Sequence, residues 1–205
     1  MAHRAGQKEE SRARILASAG RGFRSRGYDA LGVDGLAKEA GVTHGAFYAH
    51  FKSKAAAFRE TVTVGMRDLR FGIERLRDGG PGWRQRFVEF YLGDRRTCDL
   101  SESCALQSLT GEVARAADDV REAYEVELRS VIEAISEGMV AGSQADRRAD
   151  ATALLALLAG GVSMARAVKD VSMAEDIAAA IRRAALFLEE AAALEIRNAN
   201  PLPAK

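Results

Sequence analysis

The sequence predicts an all-α protein. Only three prolines, at 81, 201 and 203, interrupt 205 residues. Ala, Leu, Glu and Arg, which favour helices, are abundant, while alternating Val/Ile/Thr runs are scarce. Apolar side chains recur at three- and four-residue steps along most of the chain, and a hydrophobic content of 47% is ample for a buried core. About nine helices are expected, with a small helix-turn-helix unit at the amino terminus joined to a larger helical part.

Taken in order, the first helix is expected over residues 9–26, with Ile15, Leu16, Ala19 and Phe23 inward and Gly27 as its stop. Two short amphipathic patterns then meet at Gly41-Val42. Val33, Leu36, Ala37 and Ala40 form the first, and Ala46, Phe47, His50 and Phe51 the second. Such a pair reads as a helix-turn-helix. Its second helix turns Thr43, His44, Gly45, Ala46, Tyr48 and Ala49 outward, a set of small, hydroxyl and imidazole groups suited to base edges and phosphates in a major groove.

Ser53 opens a long helix carrying Phe58, Val62, Met66, Leu69, Ile73 and Leu76, which the Asp78-Gly79-Gly80-Pro81-Gly82 run breaks. Pro81 suits the first turn of a following segment with Trp83, Phe87, Phe90 and Tyr91, fading between Gly93 and Asp99. Further helices are expected over residues 101–115 and 118–140, the latter with Val120, Tyr124, Leu128, Val131, Ile132 and Ile135 on one side. The last pair, over residues 150–168 and 174–194, is rich in Ala, Leu and Gly, and its small residues allow close approach. Residues 198–205 read as a disordered tail.

Charge is uneven. Up to Lys54, ten Lys/Arg stand against five Asp/Glu, so the remaining residues carry twenty against twenty-four under a net charge of +1. Arg4, Lys8, Arg12, Arg14, Arg21, Arg24 and Arg26 therefore sit in the same segment as the motif, where they supply sequence-independent attraction to phosphate. No apolar run reaches the roughly 20 residues of a membrane span, and Met1 to Glu10 is polar where a signal peptide would be apolar, so a cytoplasmic location and no membrane contact are expected. All three histidines, His3, His44 and His50, lie in the first quarter, and neither a glycine-rich phosphate loop nor paired metal-ligand spacing is present. Neither enzyme activity, a metal nor a cofactor is expected.

The run from Arg12 to Lys54 carries Ile15-Leu16, Ala19, Phe23, Gly27-Tyr28, Leu36-Ala37, Ala40-Gly41-Val42, Gly45, Phe47-Tyr48, His50-Phe51 and Lys54. It resembles the DNA-binding domain of TetR-type (TetR/AcrR) transcriptional repressors. The Tyr-x-His-Phe-x-x-Lys ending at a fixed distance after Ala-Gly-Val is the specific part. Leu31 and Gly32 depart from the pattern, standing where a hydroxyl residue usually caps the second helix, and Gly35 costs that helix roughly 1 kcal/mol relative to alanine.

The resemblance implies a DNA-binding domain over residues 1–54, with its motif at about 32–51, and a helical effector-binding and dimerisation domain over 55–197. It implies a homodimer that binds a palindromic double-stranded operator and is released by a small-molecule effector. Thr43 is placed to cap the reading helix or to meet phosphate, and both readings stand. His44 and Ala46 are the candidates for base edges, beside Gly45. Tyr48 and His50 match the family's phosphate-contacting and helix-packing tail, with burial against the first helix the rival role for His50. Lys54 is a point charge for phosphate. For the last two helices the plain reading is an internal hairpin core. The resemblance instead implies a four-helix bundle with a second copy through Leu154, Leu157, Leu158, Gly161, Ala165, Ile177, Ile181, Ala184 and Leu188. Phe87, Tyr91, Cys104, Gln107, Leu128, Ile132 and Met164 are candidates for a mainly apolar effector cavity, with plain core as their alternative. Cys98 and Cys104 flank an expected helix amino end that stabilises a thiolate, while Asp99 and Glu102 oppose it; a redox or electrophile sensor on the same scaffold is the alternative function.

Overall fold

The computed structural model describes residues 2–140 and 142–199, with side chains described over 6–140 and 142–187. Every regular element among them is helical: α1 (Ala2–Arg26), α2 (Val33–Glu39), α3 (His44–Tyr48), α4 (Lys54–Asp78), α5 (Trp83–Leu92), α6 (Asp94–Thr97), a 3₁₀ turn (Leu100–Glu102), α7 (Ala105–Val113), α8 (Asp118–Ser136), α9 (Gln144–Ala167) and α10 (Val171–Ala199). The four-residue α6 is the addition to the nine expected.

Several boundaries move for local reasons. Gly82, at φ +76°, is the N-cap of α5, so Pro81 lies in the turn before the helix rather than in its first turn. The expected helix over 101–115 is divided, because Ser103 and Cys104 adopt extended backbone between the 3₁₀ turn and α7. Ser143 and Asp146 form a capping box that starts α9 well before residue 150. Helix α10 continues through Asn198 and Ala199, which are therefore not a disordered tail; the remainder of that expected tail lies outside the described residues.

The chain forms two compact units, Met1–Asp68 with Cys98–Glu127 and Leu69–Thr97 with Leu128–Lys205, so α4 and α8 each contribute to both. In the first, Ile15, Ala19 and Phe23 of α1 are buried with Leu36 of α2, Phe47 of α3, Phe58 and Val62 of α4, and Leu109 of α7. Phe23 meets the Phe58 ring edge-on, with centroids 5.2 Å apart. Gly65 lets α4 pass close to α7: a Cβ there would lie 2.5 Å from that of Ala105. Polar ties reinforce the packing. Arg24 Nε donates to the Ser101 carbonyl at 2.8 Å, Arg12 pairs with Glu60 and Arg26 with Glu39. The buried Glu127 carboxylate accepts from Arg67 Nε at 2.8 Å.

In the second unit, α9 and α10 form an antiparallel-type helix pair through Leu154, Leu155, Leu158, Gly161, Val162 and Ala165, all buried. Four of the residues expected to face a second copy are packed within the chain itself. Leu154, Leu158, Gly161 and Ala165 are spent inside the protomer, and a Cβ on Gly161 would lie 2.5 Å from Ile181 Cγ1. Leu157, Ile177 and Ile181 are half-buried and Ala184 is exposed, while the Leu188 side chain lies outside those described. The outward stripe of α9 is instead Thr152, Ala156, Gly160, Ser163, Met164 and Ala167. By length and composition α9 is also the one helix among the described residues apolar enough to cross a bilayer, although its apolar face packs on α10.

Because Gly161 meets Ile181 directly, Gly161→Val must push apart two packed helices. We expect a loss of about 1–3 kcal/mol in urea unfolding of the protomer, whatever its state of association.

Candidate nucleic-acid interface

Helix α2 begins without a side-chain cap, because its N-cap residue, Gly32, has no side chain to supply one; Leu31 before it is buried in the core. It ends at Gly41, whose φ of +66° lets the chain reverse; Gly41 N donates to the Lys38 carbonyl and Val42 N to that of Ala37, at 3.1 and 2.9 Å. Thr43 then caps α3, its Oγ1 accepting from Ala46 N at 3.2 Å. Only five residues long, α3 is extended by further backbone bonds from His50 N and Phe51 N to the Phe47 carbonyl.

Phe47 and Phe51 anchor this segment, at 0% and 3% exposure. Thr43, His44, Gly45, Tyr48 and Ala49 are exposed as the sequence pattern requires, and Ala46 is half-buried. A Cβ at Gly45 would meet no heavy atom within 4 Å, so the backbone there is open to a close approach. The His44 and Tyr48 rings lie 5.0 Å apart, and Asp34 of α2 reaches across to pair with His44 Nδ1. Asp34 escaped the sequence reading, since an acid inside a basic motif carries no periodic signal.

The remaining candidates divide. His50 is half-buried, its Nδ1 enclosed without a hydrogen-bond partner. Burial first, then the charges of Lys8 and Arg12, hold its pKa below the ordinary histidine value. Lys54 is tied inward, its Nζ donating to the Tyr28 carbonyl at 3.1 Å and lying 4.0 Å over the Tyr28 ring. Lys52, two residues earlier and not singled out from the sequence, is exposed.

The effector candidates do not fall in one unit. Cys104 and Gln107 belong to the first, and Phe87, Tyr91, Leu128, Ile132 and Met164 to the second. Phe87 and Tyr91 are buried with rings 5.7 Å apart, whereas Met164 is 59% exposed and so points out of its unit's core. Gln107 Oε1 is buried without a partner. Near it in sequence, the Tyr124 hydroxyl meets Thr110 Oγ1 at 2.8 Å; burial raises that phenol's pKa, with a smaller contribution from Cys104. Cys98 is half-buried and Cys104 is the buried N-cap of α7, and no disulfide joins them.

Residues 15–61 match the family described as bacterial regulatory proteins, tetR family. The repressor NemR of Escherichia coli K12 is 26% identical over 146 residues, covering 67% of this chain and 71% of the relative. Residues 15–61 thus form a TetR-type DNA-binding domain. An uncharacterised HTH-type regulator of Bacillus subtilis, YdgC, is 43% identical over 54 residues, which is 26% of this chain and 28% of that one. Among solved structures, reduced E. coli NemR superposes with a TM-score of 0.68 at 22% identity, covering 84% of this chain and 96% of the other. The TetR-family regulator SCO4454 of Streptomyces coelicolor gives a TM-score of 0.75 at 20% identity, covering 90% and 96%. The helices, turn and caps of the TetR-type reading unit thus stand where its sequence motif lies.

His50 also makes folding sensitive to pH. Its folded pKa is depressed, so the unfolded chain takes up a proton first as pH falls. Stability is unaffected above about pH 6.5 and declines below it until the folded pKa is passed. His50→Gln, which cannot titrate, is expected to lower Tm less steeply than the parent on acidification.

Proposed function

We propose that the chain is a homodimeric TetR-type repressor that places α3 of each copy in successive major grooves of a palindromic operator and leaves it when a small molecule binds. The observation that carries this reading is the outward face of α3, where Thr43, His44, Gly45, Tyr48 and Ala49 are exposed around an open backbone at Gly45. Ala46 lies at its margin. Thr43 and Tyr48 offer hydroxyls for phosphate and His44 an imidazole for a base edge. His50 lies near enough to Lys8 and Arg12 for their charges to act on it. Lys54 contributes through position, holding the amino end of α4 to Tyr28, and keeps further N–H donors for phosphate. Its partner molecule, DNA, implies a cytoplasmic protein.

Alanine at Tyr48 is expected to weaken binding of a selected operator about tenfold, while Lys52→Ala lowers the slope of log affinity against log salt by about one. Fluorescence anisotropy across a salt series measures both. Retention of the parent affinity and slope in both variants would sink this reading.

Self-association is assigned to the outward stripe of α9 and the neighbouring face of α10. Met164, Met173 and Phe187 are 59%, 51% and 65% exposed there, beside the small Ala156, Gly160, Ala180 and Ala184. Large apolar side chains interleaved with small ones suit close helix packing against a second copy. Gly160 has open space around its Cβ position, so Gly160→Glu spares the protomer. It is expected to shift sedimentation from dimer to monomer and to reduce operator affinity together with it.

The effector site is assigned to Phe87, Tyr91, Leu128 and Ile132, all of the second unit. A ligand acts only through a difference in its affinity for the DNA-bound and released shapes. A second reading, thiol sensing, is favoured by Cys104 at the amino end of α7 and by a similar protein having been solved in a form described as reduced. Replacement of Cys98 and Cys104 by serine should then abolish release by diamide; unchanged release removes the idea.

A further inference from the structure

We propose that Asp34 is a positioning residue that decides which base His44 accepts. This rests on α3 entering the major groove as described above.

The geometry is local. Asp34 stands in the first turn of α2, and its carboxylate meets Nδ1 of His44, the first residue of α3. The Tyr48 ring, one helical turn along α3, lies 5.0 Å from the imidazole at a 46° tilt. The imidazole is therefore held at Nδ1 from one side and bounded by an aromatic ring on another. The titratable groups against it are Asp34 from α2 and Tyr48 from α3. His44 remains 54% exposed and Asp34 88%, so the pair contributes little to folding. Its consequence is chemical.

A carboxylate accepts only. In the neutral ring, the proton must then reside on Nδ1 and be donated to Asp34, leaving Nε2 as a bare acceptor turned outward. A bare acceptor matches the amino groups that bases show in the major groove, adenine N6 and cytosine N4. When the ring carries a second proton, the Nδ1 bond to Asp34 survives and Nε2–H becomes a donor, matching O6 and N7 of guanine. Without Asp34 the neutral ring is free to adopt the other tautomer, which donates from Nε2 without taking up a proton. Asp34 thereby forbids guanine to the neutral ring and makes one position in each half-site proton-dependent. The negative charge of Asp34 on a DNA-facing surface is what excludes the wrong tautomer.

Duplex selection from a random pool, run at about pH 6 and about pH 8 to span histidine titration, tests this with the parent, Asp34→Ala and His44→Ala. Circular dichroism confirms that each is folded. For the parent, one symmetric pair of positions should favour guanine at the lower pH and adenine or cytosine at the higher, by about fivefold for a single hydrogen bond. Asp34→Ala should accept guanine at both pH values, and His44→Ala should lose preference at that position alone. Identical base frequencies for the parent and Asp34→Ala at both pH values overturn the positioning role while leaving DNA reading intact. A pH-dependent position that persists in His44→Ala overturns the assignment to this side chain. A parent pool with no enriched sequence overturns the proposal together with the groove placement it rests on.

Discussion

A helix of five residues cannot hold itself together in water, because nucleating a helical turn costs more than so few hydrogen bonds return. Everything about the reading surface follows from how α3 escapes that limit. Phe47 and Phe51 are sunk into the core of the first unit, Thr43 caps one end, and the Gly41 turn delivers the chain from α2 at a fixed angle. One face is committed to packing, which leaves the opposite face with little structural duty beyond the Thr43 cap and the Asp34–His44 pair. Thr43, His44, Gly45, Tyr48 and Ala49 stand there on a rigid base rather than on a loop.

The cations of this unit separate by the same logic. Arg12, Arg24 and Arg26 are bound to Glu60, the Ser101 carbonyl and Glu39, and Lys54 to Tyr28. They brace α1, α2 and α4. Arg14, Arg21 and Lys52 are exposed, with no ion pair among the described residues. Arg14, Arg21 and Lys52 thus add phosphate attraction that bracing the platform does not consume.

The motif was legible because it consists of short-range requirements: an apolar face at helical spacing, a glycine where φ must be positive, a cap one residue before the helix. Each is encoded within a few residues of where it acts. The face of α9 was not, for a physical reason. Apolar periodicity marks the side that is buried but not what buries it, so Leu154, Leu158 and Gly161 read equally well as a dimer seam and as a contact with α10. The true outward stripe, Thr152, Ala156 and Gly160, is bland in composition and gives no periodic signal. Similarly, Met164 looked like cavity lining because its apolar character does not record its 59% exposure. Lys54 matched a phosphate-binding motif, while its contact with Tyr28 joins residues 26 apart, beyond any local pattern. The Asp34–His44 pair depends on the angle between α2 and α3, which only the folded turn defines.

The central claim is that the outward face of α3 lies against bases. A photoreactive amino acid placed at Gly45, where a side chain meets open space, and crosslinked to a selected operator duplex would test it most directly. The account predicts crosslinks to major-groove base atoms at two positions related by the operator's two-fold symmetry, about one helical turn apart. Crosslinks confined to sugar and phosphate, or none from residue 45 while the protein remains bound, would contradict it.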